Sequence, residues 1–227
     1  DKYDEAIKAF DEAIRLDPNL AGAGAQVGKG YALDGLGRYD EAIDAYNEAI
    51  SLDQNFSRAW SNKGYALEKL GKYEEAINAC NKAIEIDPQN KEAWNNKCDA
   101  LYSQGKYQES IKTCDLAIQI NAQNAGAWGN KGIALHGLGQ DNEAINCFVK
   151  VLEIDPLDVN GWYSKGTVLN NLGKSNEAIQ ALDKAIELDA NHSGAWNNKG
   201  LAFANMKRYD DAIKSYDRAI DIDFNHP

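Results

Sequence analysis

The chain has 227 residues, of which 44% are hydrophobic and 26% charged, and its formal net charge is −11. No apolar run approaches the roughly 18 residues that a membrane-spanning helix needs, and the acidity sets the chain against a nucleic-acid backbone while favouring basic surfaces. The four cysteines, Cys80, Cys98, Cys114 and Cys147, form no C-x-x-C pair and all fall in helical patterns. They read as buried reduced thiols of a reducing, cytoplasmic compartment, with a disulfide between Cys98 and Cys114 on facing helices as the alternative.

In chain order, the first predicted element is a helix over 2–16, with Tyr3, Ala6, Ile7, Phe10, Ala13 and Ile14 along one face. It forms the second half of a partial repeat over 1–20, followed by an insertion at Ala21 and Gly22. The chain begins at Asp1, which suggests a piece cut from something longer. Tryptophans then stand at 60, 94, 128, 162 and 196, each 34 residues from the last. Around them "AWSNKGYAL", "AWNNKCDAL", "AWGNKGIAL", "GWYSKGTVL" and "AWNNKGLAF" recur. The full repeats are 23–56, 57–90, 91–124, 125–158, 159–192 and 193–226.

Within 57–90, Trp60, Gly64 and Leu67 share one helical face, and Tyr73, Ala76, Ile77, Cys80, Ala83 and Ile84 form a second. Gly71 between them is a helix stop. Glu74 and Glu75 suit the first turn of the second helix, where the dipole favours anions. Asp87–Pro88 ends that helix, because the residue before proline is pushed out of α geometry. Each repeat is therefore a helix–turn–helix, each helix about 13 residues and roughly 20 Å long, and the last helix covers 209–222. The expected fold class is all-α.

Gly64 inside a helix costs roughly 1 kcal/mol relative to alanine. The expected compensation is close approach of two antiparallel helices, with the glycine facing the methyl of Ala76. Gly30, Gly132, Gly166 and Gly200 hold the glycine place, and Ala42, Ala144, Ala178 and Ala212 the alanine place. Trp60 is expected to fill the widening space beside the contact. Burying an indole removes ~150–250 Å² from water, about 4–6 kcal/mol as an upper bound.

A 34-residue helix pair carrying W-x3-G, then alanine, alanine and proline at these spacings, resembles the tetratricopeptide repeat. The resemblance implies a right-handed superhelical solenoid of antiparallel helix pairs over the whole chain. There are departures: Gln26 for tryptophan, Cys98 for glycine, Ser110 for alanine, Val151 for a small residue, and Gln54, Ala122 and Ala190 for proline. Lys29, Lys63, Lys97, Lys131, Lys165 and Lys199 stand where that family usually has leucine; their stems are expected along apolar surface with the amines in water.

The resemblance implies binding rather than catalysis, of an extended peptide or a helix, along a concave face lined by the first helices. Asn62, Asn96, Asn130 and Asn198 recur two residues after tryptophan, although asparagine is a weak helix former. Two readings stand: local hydrogen bonds copied by duplication, or a ladder of amides for a ligand backbone. Val27, Tyr31, Glu92 and Asn96 hold the places where carboxylate-gripping relatives carry basic partners, so no such clamp is expected. The N-terminal half of the groove carries Tyr31, Asp34, Tyr65, Glu68, Glu92, Asp99 and Tyr102, with Arg58 and Lys69 against the trend. The C-terminal half carries His136, Tyr163, Asn170, Asn171, Asn197 and Asn205. It reads either as a solvated face or as a trough for a basic or aromatic-bearing peptide.

No constellation suggests chemistry. His136, His192 and His226 are far apart in sequence, and no P-loop, G-x-S-x-G or H-E-x-x-H occurs. No enzyme activity, metal or cofactor is expected. A second hypothesis is self-assembly into a homo-oligomer through solenoid ends, because the 2–16 helix lacks its own repeat partner and leaves Tyr3, Ile7, Phe10 and Ile14 for another copy.

Overall fold

The structure, a computed structural model, describes residues 2–16 and 18–225. His226 lies outside them. Among the described residues there are thirteen helices: α1 (Lys2–Leu16), α2 (Pro18–Gly35), α3 (Tyr39–Leu52), α4 (Ser57–Lys69), α5 (Tyr73–Ile86), α6 (Lys91–Ser103), α7 (Tyr107–Ile120), α8 (Ala125–Gly137), α9 (Asp141–Ile154), α10 (Val159–Asn171), α11 (Ser175–Leu188), α12 (Ser193–Asn205) and α13 (Tyr209–Asn225). All of the regular structure among the described residues is α-helical. α2 is broken near its start by Gly22, whose φ of 56° and ψ of −167° are not helical. The chain forms two compact units, Asp1–Ala127 and Trp128–Pro227.

The turns explain the repetition. Gly37, Gly71, Gly105, Gly139 and Gly173 all take φ between +71° and +80°, which glycine adopts without steric cost. At Gly71 this lets the amide of Lys72 reach the carbonyl of Leu67 at 2.9 Å, closing the helix end. The sixth turn has Lys207 at φ 59° instead.

The second helices end on a side chain rather than on proline. Asp87 accepts a hydrogen bond from the backbone of Gln89, and Asp155 does the same for Leu157. Asp53, Asn121 and Asp189 make the same turn, although Gln54, Ala122 and Ala190 follow them. An Asx side chain hydrogen-bonding two residues on is a sufficient stop.

The glycine contact differs from the expected one. A Cβ at Gly64 would stand 2.5 Å from the sulfur of Cys80 and 3.2 Å from the carbonyl oxygen of Ala76. The residue that fills the glycine's space is thus the one 16 positions later. Tyr46 meets Gly30, Phe148 meets Gly132, Leu182 meets Gly166 and Tyr216 meets Gly200 in the same way. The alanines at 42, 76, 144, 178 and 212 are buried beside these contacts. Ser110, in the alanine place, is also buried and donates to the Cys98 carbonyl at 2.9 Å.

In that same repeat the buried Cys98 of α6 and Cys114 of α7 face each other, with Cα atoms 6.0 Å apart, a separation within disulfide reach. Cys80 and Cys147 are buried, and burial pushes the Cys80 thiol up to about 12.

The tryptophans are less buried than expected: Trp94 is 9% exposed and the other four are half-buried. Their indole N–H groups instead hold the preceding loops. Trp60 donates to the Gln54 carbonyl, Trp94 to Pro88, Trp162 to Pro156 and Trp196 to Ala190, at 2.9–3.0 Å. The lysine three residues on lies over each ring, 5.1–5.9 Å from its centroid. These amines are cation–π partners rather than groups merely reaching for water.

Candidate binding face

In Asp1–Ala127 the first helices touch one another directly: α2 contacts α4, and α4 contacts α6. The second helices α3, α5 and α7 have no such contacts with each other. The first helices are therefore the crowded, inner layer of this unit. A recess of about 960 Å³ opens on them, and Val27, Tyr31, Phe56, Arg58, Asn62 and Glu92 are among its lining. It lies where α2 carries the small residues Gly24, Val27 and Gly28, against Arg58, Ser61 and Asn62 at the same register of α4.

The amide series starts only at Asn62 because Phe10 of α1 occupies the corresponding space at Gly28, 2.4 Å from where a Cβ would be. Asn62 hydrogen-bonds the Tyr46 hydroxyl. Asn96 donates to the Ser61 carbonyl at 3.0 Å and Asn198 to the Thr167 hydroxyl at 2.7 Å. Asn170 donates to the Asn198 carbonyl at 2.7 Å. Asn96, Asn170 and Asn198 tie one first helix to the next, Asn62 ties α4 to α3, and Asn130 is also engaged.

Beside the recess lies an acidic and aromatic cluster. Tyr46 donates to Oδ2 of Asp34 at 2.5 Å, while Oδ1 of Asp34 is buried without a partner. Burial raises the Asp34 carboxyl to about 6, against the opposing effect of the Tyr46 hydrogen bond. Ser103 donates to Oε1 of Glu68 at 2.8 Å, and Lys69 Nζ lies 3.1 Å from Oε2. The same ammonium is 5.1 Å from the Tyr65 ring centroid. Burial works against the Lys69 charge, but Glu68, Tyr65 and Asp99 outweigh it and lift the amine above its ordinary value. Tyr102 leans on Tyr107, with ring centroids 5.3 Å apart. Tyr31, Arg58, Asn62 and Glu92 thus share the recess, Tyr65, Glu68 and Asp99 gather near Lys69, and the Asp34 charge acts on Tyr65. Val27, Phe56 and Tyr46 are participants that sequence reasoning did not assign to binding; their role depends on which helix ends meet across repeats.

In Trp128–Pro227 the picture differs. The Tyr163 ring lies 4.6 Å from that of His192. His136 Nδ1 is 2.6 Å from Asp141, and Asn171 lies 3.2 Å from its Nε2. Asn197 lines a separate recess of about 420 Å³ with Tyr216, Ala219 and Ile220 of α13. The apolar stripe of α1 is covered only in part: no residue of α1 is buried, and Tyr3 is 39% exposed. Tyr3 packs where Gly35 lacks a side chain, Phe10 against Gly28, and Ile7 against the core around Tyr46. Among the described residues no group of three or more His, Cys, Asp or Glu could hold a metal, and no helix is long and apolar enough to cross a membrane.

The sequence model described as "Tetratricopeptide repeat" matches residues 57–90, 125–157, 159–192 and 193–226, more than half of the chain. The chain belongs to the tetratricopeptide repeat family. Related models of the same family match residues 1–20, 30–71 and 79–112. Solved structures show the same all-α solenoid fold. A tetratricopeptide repeat protein from Parabacteroides merdae superposes with TM-score 0.76 at 18% identity, covering 99% of this chain and 88% of that one. A chain of the APC/C Cut9–Hcn1 hetero-tetramer gives TM-score 0.83 at 16% identity, covering 99% of this chain and 44% of the other. YrrB, described as a TPR protein with an unusual peptide-binding site, gives TM-score 0.58 at 23% identity, covering 81% of this chain and 95% of its own. No curated protein sequence is significantly similar to the chain.

Proposed function

We propose that this tetratricopeptide repeat chain, built of a half repeat over 1–20 and six full repeats, is a non-catalytic cytoplasmic scaffold. In this reading it binds an extended or helical peptide segment on the inner face of residues 1–127. The observation that carries the reading is the 960 Å³ recess on α2, α4 and α6, lined by Tyr31, Arg58, Asn62 and Glu92, with Tyr65, Glu68 and Asp99 around Lys69 on the same helices and Asp34 one turn beyond Tyr31. Tyrosines offer contact area and a polar tip at low entropy cost, and the carboxylates select a basic or aromatic-bearing peptide. The peptide-binding site in the description of YrrB supports the same class of function. Because Asn96 donates to the neighbouring helix, its part is to fix helix spacing along the trough.

Titration with basic, neutral and acidic peptide pools at two salt concentrations tests this. Basic and tyrosine-bearing peptides are expected to bind best, more weakly at high salt. Preference for neutral or acidic peptides would reject the reading.

Self-association is a second reading, carried by the partly covered stripe of α1 and by α13. Tyr209, Ile213 and Ile220 there are 51–62% exposed, an apolar stripe open to a second copy. Light scattering across concentration is the check; a strict monomer at high concentration dismisses it.

A further inference from the structure

Lys69 is the one cation at its register of the inner helices. The other repeats place Gly35, Ser103, Gly137, Asn171 and Asn205 there, so nothing in helix packing asks for an ammonium at this point. Its surroundings are nevertheless those of a bound basic side chain: a carboxylate oxygen at 3.1 Å, a tyrosine face at 5.1 Å and the Asp99 charge nearby. Glu68 is the more enclosed partner, with its side chain 12% exposed against 40% for Lys69. The acid is therefore held in place by Ser103, while the lysine, on a flexible stem at the end of α4, is free to swing away.

We infer that Lys69 is a built-in competitor: it occupies the seat that an arginine or lysine of the bound peptide takes, and it sets both the affinity of the trough and its demand for a basic side chain. The inference rests on the peptide-binding reading proposed above. A ligand that brings no cation would have to leave Lys69 where it is and bury nothing on Tyr65. A ligand arginine would displace it and offer Glu68 two parallel donors in place of one, which favours guanidinium over ammonium.

The test uses the full chain and a fluorescein-labelled nonapeptide with one arginine between two tyrosines in a glycine–serine background. A twin peptide with glutamine in place of arginine serves as control. Fluorescence anisotropy is read for wild type, Lys69→Gln, Lys69→Arg and Lys82→Gln. Lys82 lies on the outer helix α5, paired with Glu85, so its removal changes net charge equally. Lys69→Gln is expected to tighten the arginine peptide about three- to tenfold, the scale of one exposed ion pair plus one cation–π contact. Lys69→Arg should bind no tighter than wild type, Lys82→Gln within about twofold of it, and the glutamine peptide should gain nothing from any substitution. If wild type binds the arginine peptide but Lys69→Gln binds no tighter than Lys82→Gln, the competitor role is wrong and the binding face stands. If no variant binds either peptide, both fall. If only Lys69→Gln binds, the lysine closes the trough outright.

Discussion

Gly132 lies so close to Phe148 that a Cβ on it would stand 2.8 Å from Cε1 of that ring. Three residues earlier on the same helix, Gly129 has only Val151 in range, at 3.8 Å. The two glycines have the same backbone freedom and opposite packing.

Gly132→Ala is therefore expected to destabilise the chain by about 1–3 kcal/mol, because overpacking exceeds the helix-propensity gain. Gly129→Ala is expected to stabilise it by about 0.5–1 kcal/mol. Urea unfolding followed by circular dichroism measures both, and equal signs would contradict the contact.

The α12–α13 turn offers a different test. Lys207 takes the left-handed conformation that glycine takes in the other five turns, with Arg208 donating to Phe203 at 2.9 Å as in those turns. Lys207→Gly keeps the hydrogen bond and removes the Cβ clash, so it should raise stability by about 1 kcal/mol. A fall in thermal midpoint would show that the lysine has another role.

Asp34 gives a pH dependence with a definite sign. Its carboxyl moves from an ordinary 3.8 to about 6 in the folded state, chiefly through burial. Between those values the folded chain holds a proton that the unfolded chain has released, so stability declines as pH rises from about 4 to about 6. Above that window the penalty is fully present. Asp34→Asn still accepts from Tyr46 and carries no charge. It should stabilise the protein at pH 7 by on the order of 1 kcal/mol, discounted for partial exposure, and flatten this part of the profile. Parallel unfolding curves for the two chains at pH 4 and pH 7 decide it.

Trp162→Phe removes the donor to the Pro156 carbonyl while keeping most of the ring. A loss of about 1 kcal/mol is expected, concentrated in the loop before α10. Faster hydrogen exchange at residues 155–158 than in the wild type is the readout.

The repeat length, the helix pairs and the glycine stops were legible because each is written within a single 34-residue stretch. What the sequence concealed was which residues meet. Gly64 was matched to Ala76, on the nearest small residue, but the space belongs to Cys80, because the helices cross with the later residue over the gap. The lysines three places after tryptophan were expected in water and instead cover the indoles. Phe10 and Ile7 lie partly under neighbouring helices while Tyr3 stays exposed, a division that the stripe alone does not write. For the candidate face, the residue types were visible and their grouping was not. The recess at Val27 depends on Phe10 standing in for a side chain at Gly28, and the exposure that makes Asp34 and Glu68 unequal to ordinary surface acids arises between repeats.

Four indoles are each tied to a linker carbonyl six residues earlier, at Gln54, Pro88, Pro156 and Ala190. Each linker thus carries its own optical gauge. In a chain pared to a single tryptophan, emission would redden when that one junction loosens and stay unchanged when a distant junction does, so fraying along the array can be timed junction by junction without attaching a dye.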